Sequence, residues 1–158
     1  MAGDRRREAG ITYLEMVATA AIVMILASAI LPMARVTRQR QREIELRRSL
    51  REIRRAIDEY KDAVDKGKIG GPDVKLGSEG YPPDLDVLVE GVNQVGTAAK
   101  KLRFLRRIPV DPMTASEDWG KRCYQDKPDS SSWCGQNVYD VFTTREGKAL
   151  DGTNYQDW

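Results

Sequence analysis

At 158 residues the chain has room for one modest domain and an additional segment. Its 26 basic and 24 acidic residues leave a net charge of only +2, so no strong electrostatic field points to nucleic acid. It contains no histidine, which removes the commonest general base and metal ligand. Its two cysteines, Cys123 and Cys134, are too few for a disulfide scaffold or a four-thiolate zinc site.

The first element is announced by RRREAGITYLEMVATAAIVMILASAILP, Arg5 to Pro32. The 19 residues from Met16 to Ala34 carry no charge. At a rise of about 1.5 Å per residue, such a helix is about 28 Å long, close to the hydrocarbon core of a bilayer. A soluble core helix of this length normally shows a polar stripe, which Thr19 and Ser28 do not provide. Three membrane readings compete. A cleaved secretory signal has a shorter apolar run, and Glu15 interrupts the entrance of this one. A plain signal anchor fits the length and leaves Glu15 unexplained. Arg35, Arg38, Arg40 and Arg42 also outnumber Arg5, Arg6 and Arg7, so the positive-inside count favours the opposite topology.

The third reading accounts for the glutamate. Gly10 to Glu15, GITYLE, resembles the type III signal of type IV pilins and type II secretion pseudopilins. Gly10, Thr12, Leu14 and Glu15 match the family motif, whereas Ile11 stands for its usual phenylalanine and Tyr13 for its first leucine. Pro32 falls where many members carry a proline. The resemblance implies a cytoplasmic leader, residues 1–10, cut after Gly10 by a prepilin peptidase that also N-methylates Ile11. A carboxylate at membrane depth costs about 2.5–3.5 kcal/mol, which usually marks a function. In a stack of subunits, Glu15 of one meets the Ile11 amine of the next, so burial rewards addition in register. The competing reading is a Glu15 that only snorkels to the interface.

After the membrane segment, residues 11–34, the helical signal continues over 35–66. Pro32 lacks an N–H and is expected to kink or open the helix. Leu46, Leu50, Ile53, Ile57, Tyr60 and Val64 form one apolar stripe suited to packing on a sheet. Other faces carry Arg38, Arg42, Glu45, Arg48, Arg51, Arg55, Glu59 and Asp62. Glu43 and Arg47 form an attractive i,i+4 pair, and Arg51 and Arg55 a repulsive one. With no interleaved aromatics and no recognition motif, the arginines read as a solvated face making inter-subunit ion pairs. Arg35 and Arg38 also suit anionic lipid.

GKIGGPD, Gly67 to Asp73, ends the helix and opens a C-terminal region, residues 67–158. Asp84 is placed to cap a short helix carrying Leu85, Val87, Leu88 and Val89. WGKRCYQD reads as a strand. Asn137 to Thr143 alternates, with Val138, Asp140 and Phe142 on one side and Tyr139 and Val141 on the other. This region is too small for a deep catalytic cavity and offers no standard triad, so a non-enzymatic role is expected.

YPPDLDVLVEG, LRRIPVDPMTASEDWG, QNVYDVF and DGTNYQDW resemble the major pseudopilin of type II secretion systems. The resemblance covers most of the chain from Gly10 to Trp158. It implies an α+β fold, with a long N-terminal helix, transmembrane then amphipathic, packed on a small antiparallel sheet. It also implies a single-pass bacterial inner-membrane protein with a periplasmic C-terminal domain. Such a chain polymerises into a pseudopilus with other pseudopilins on an inner-membrane assembly platform. The family's terminal loop often binds calcium. Here it is shortened to Thr143–Trp158, where Asp151, Asn154 and Asp157 remain as candidate oxygen ligands; DGTN is also an ordinary turn sequence. Cys123 and Cys134 lie outside the family pattern. They form a bridge if the domain is oxidised, and two buried thiols otherwise. A type IV pilin or minor pilin is the nearest alternative; a signal-anchored sensor that does not polymerise is the alternative of another class.

Overall fold

The computed structural model describes residues 12–71, 74, 75 and 77–158, without the side chains of 29–32 and 97–100. The expected leader, Gly10 and Ile11 lie outside the described residues, as do Pro72 and Asp73 of the breaker cluster. The chain divides into two compact units, residues 1–39 and 40–158, and both draw on one helix, α1 (Tyr13–Asp65). Helical backbone continues through position 32 without a break, so the helix does not open there.

In the second unit the apolar stripe of α1 is the spine of the core. Leu46, Leu50, Ile53, Ile57 and Tyr60 are each at most 2 % exposed, and Val64 packs at the edge of the same cluster. Spacings of four and three keep these side chains on one face, so one helix buries them all at once. The helix stops at Gly67, whose φ of 64° lies in the left-handed region that glycine tolerates.

A short helix, α2 (Asp86–Glu90), places fully buried Leu88 against the spine. It starts one turn position later than Asp84 predicts. Leu85 occupies the N-cap without a side-chain cap, while the Asp84 carboxylate accepts the Leu85 N–H at 2.6 Å and pairs with Lys121 at 2.8 Å. Asp84 Oδ1 is thus shared between the adjacent Leu85 N–H and the distant Lys121. Among the described residues four strands follow: β1 (Val92–Gln94) pairs antiparallel with β2 (Thr97–Leu102), and β3 (Gly120–Arg122) with β4 (Asp140–Phe142). The layout is α+β, as expected, with two two-stranded sheets where a single sheet was anticipated.

The strand predicted over 137–143 contracts to three residues. Val138, Val141 and Phe142 are all buried, so strict alternation fails. The Val138 N–H bonds to the Pro82 carbonyl at 2.8 Å, outside any strand ladder, and the chain turns into β4 only after it. Within the ladder Gly120 faces Phe142, and a Cβ on Gly120 would lie 2.4 Å from the Phe142 ring. Glycine is thus required there for contact rather than for conformation. Buried Asp111 fixes the IPVDP segment beneath this sheet by accepting the Thr143 hydroxyl at 2.5 Å and the Met113 N–H at 2.8 Å.

Candidate functional site: the N-terminal helix and the C-terminal loop

α1 is long and apolar enough near the N-terminus to cross a membrane. Its apolar side chains there point outward from the fold: Leu14 is 79 % exposed, Met24 67 % and Ile25 70 %. The few polar groups in this stretch are satisfied within the helix. Thr19 donates to the Met16 carbonyl at 3.0 Å and Ser28 to the Ile25 carbonyl at 2.7 Å. Internal satisfaction of this kind is what a medium without water demands.

Glu15 has a local context that the leader motif alone does not reveal. The Thr12 hydroxyl accepts the Glu15 N–H at 3.3 Å, and the Thr12 carbonyl accepts the Met16 N–H at 3.1 Å. Thr12 is therefore the N-cap and Glu15 the third helical residue, the spacing of a capping box. A carboxylate in the first turn also complements the helix dipole. The signal was present in the sequence as T-x-x-E, overlapping the motif read for leader processing.

The arginine face divides into two groups. Arg48 and Arg51 are exposed, and Arg55 pairs with Glu59 at 2.9 Å along the helix. Arg47 and Arg54 instead turn toward the distal end of the chain. Arg47, expected beside Glu43, meets Asp151 at 2.9 Å and lies 3.9 Å above the Trp158 ring. Glu43 is itself buried and accepts the Leu150 N–H at 2.9 Å and the Tyr155 hydroxyl at 2.8 Å. Arg54 spans Asp140 at 2.6 Å and the Trp158 carbonyl at 2.5 Å. Partners fixed by the fold have displaced the i,i+4 partner, because a side chain already held in place loses less entropy on pairing. A cleft of about 340 Å³ opens beside these contacts, lined by Arg47, Arg51, Arg54, Asp151 and Trp158.

The three candidate calcium ligands sit in this loop with partners of their own. One Asp151 oxygen accepts the Thr153 N–H at 3.0 Å and its hydroxyl at 2.6 Å; the other faces Arg47. The Asn154 amide donates to the Asp157 carboxylate at 3.0 Å. These hydrogen bonds, those of Thr153 before the charge of Arg47, hold the Asp151 carboxyl below the ordinary aspartate range. Both Asp151 oxygens already accept hydrogen bonds, and the Arg47 guanidinium lies against one of them, so calcium would have to compete with a cation already in place.

Cys123 and Cys134 form a disulfide, which excludes the alternative of two buried thiols. The enclosed loop is organised by buried Asn137, whose side chain accepts the Tyr124 N–H at 3.0 Å and donates to Gln125 at 3.0 Å. Asp126 lies beside the two sulfurs, but oxidised sulfur is no thiolate ligand and its carboxylate accepts the Cys123 N–H at 2.7 Å. Next to the loop, Tyr81, Tyr124 and Tyr139 pack ring against ring, with centroids 5.1 to 5.7 Å apart. Burial, then the neighbouring Tyr139, pushes the Tyr81 hydroxyl up, so it remains a protonated donor. No family model, curated protein or solved structure matches this chain.

Proposed function

We propose that the chain is a pseudopilin, a membrane-inserted structural subunit that polymerises through its N-terminal helix into a periplasmic fibre driving type II secretion. The observation that carries this reading is the charge-free stretch of α1, with apolar side chains exposed around it. Such a surface requires lipid before assembly and neighbouring helices after it. Gly10, Ile11 and Glu15 then take the roles implied by the motif: cleavage, N-methylation and counter-charge to the adjoining Ile11 amine.

The test compares Glu15→Ala with Glu15→Gln in membrane-extracted protein. Glutamine retains the capping-box spacing and removes the charge. Both variants are expected to be cut after Gly10 and N-methylated by intact mass. Both should fail to form fibres, because removing one partner of a buried pair costs about 3–5 kcal/mol at each contact. Wild-type assembly by Glu15→Gln would reduce Glu15 to a helix-start residue and overturn its role as counter-charge. A wild-type chain still beginning at Met1 would overturn the leader reading. Fibres shed by shearing intact cells at native expression would favour a surface pilin.

A further inference from the structure

The contacts between α1 and the C-terminal loop form a closed set. Glu43, Arg47 and Arg54 lie on one side of the helix at spacings of four and seven. Arg47 holds Asp151 and the Trp158 ring face. The Trp158 indole N–H donates to the Thr153 hydroxyl at 2.7 Å, and that hydroxyl donates to Asp151. Arg54 fixes the Trp158 carbonyl, and Glu43 fixes the loop on either side of Asp151 through Leu150 and Tyr155. We infer that Arg47 is the resident cation of this loop: the loop closes onto α1 through a guanidinium latch, and calcium neither binds there nor stabilises the chain.

A divalent ion and a guanidinium place different demands on a carboxylate. Calcium needs six to eight oxygens around one centre. Arginine needs a carboxylate edge and offers a flat face for an aromatic ring. The loop supplies the second set, with Asp151 at the edge of Arg47 and Trp158 against its face. Calcium at Asp151 would have to expel Arg47 from both, leaving its positive charge beside the ion.

The test uses the full chain in non-ionic detergent, following thermal unfolding by circular dichroism and calcium binding by calorimetry. Wild-type protein should show the same midpoint in millimolar calcium and in chelator, with no calorimetric binding. Arg47→Gln should lower the midpoint by several degrees, with the summed tryptophan emission, to which Trp158 contributes beside Trp119 and Trp133, shifted to the red. Arg47→Lys, which retains charge but lacks the planar fork, should fall between. A midpoint that rises with calcium in the wild type, or saturable calcium binding, overturns the inference. So does an Arg47→Gln chain with unchanged midpoint and emission. If Arg47→Gln does not fold, the Arg47→Lys series and the wild-type calcium comparison decide the matter. None of these readouts involves processing or fibre formation, so failure here is distinct from failure of the pseudopilin reading.

Discussion

Residues 13–34 and 40–65 belong to the same helix and are both rich in leucine, isoleucine and alanine. Leu26, in the first, is 63 % exposed; Leu50, in the second, is 2 % exposed. The difference lies in how the apolar residues are distributed around the axis. From Leu46 to Tyr60 they keep to one stripe and the remaining positions, apart from Ser49, are charged, so the rest of the chain covers the stripe and water reaches most of the remainder. From Met16 to Ala34 they occupy every side, and the described side chains there stay exposed in this chain. The stripe is covered by the rest of the chain, whereas the all-round apolar stretch is left for a partner of another kind, which the proposed function assigns to lipid and then to copies of the chain.

The same truncation in both regions tests this contrast most strongly. Leu50→Ala should destabilise the 40–158 unit by about 2–5 kcal/mol, through lost burial plus a cavity. Leu26→Ala should leave the denaturant midpoint of that unit within about 0.5 kcal/mol of wild type. Comparable losses at the two positions would break the comparison.

The covalent link offers a smaller separation of the two regions. Cys134→Ser opens a loop whose ends are 11 residues apart, worth roughly 3 kcal/mol less any strain in the chain-entropy model. The loss should appear in urea unfolding of the C-terminal unit and leave membrane partitioning unchanged. Identical urea midpoints with and without reductant would show that the bridge adds nothing to the fold.

The smallest effect concerns acid. Asp151 has its carboxyl lowered from the ordinary 3.8, first by Thr153 and then by Arg47. A lowered carboxyl contributes stability that is complete above its unfolded value and fades as pH falls through the folded one. Tryptophan emission, to which Trp158 contributes, should therefore hold steady down to about pH 4 and shift only below it. Asp151→Asn should remove that acid-induced step. An unaltered step in this variant would assign the acid response to another carboxylate.

What could be read in advance follows the range of the interactions involved. The α1 stripe was legible because helical periodicity repeats within a few residues, and Leu46 through Tyr60 are buried as expected. The β1–β2 hairpin was not, since Thr97–Leu102 reads TAAKKL, with little β-branched or aromatic character to mark a strand. The alternation at 137–143 misled because Val138 is buried by Pro82 before the ladder begins. At the candidate site, the cysteine pair was readable on the condition of an oxidising environment. The pairing of Arg47 with Asp151 was not, because nothing local distinguishes Arg47 from Arg48 or Arg51. Its partner is selected only when the distal loop has been brought to the helix.

That distance has a kinetic consequence. The latch joins residues 104 positions apart through Arg47 and Asp151, and 112 apart through Glu43 and Tyr155. The stripe is synthesised long before its cover, and contacts of such sequence separation close late and slowly. While Leu46, Leu50 and Ile53 wait, the arginines between them act as gatekeepers, charges that make association with another chain's exposed stripe unfavourable. Arg47, which fastens the finished structure, thus also protects the unfinished one.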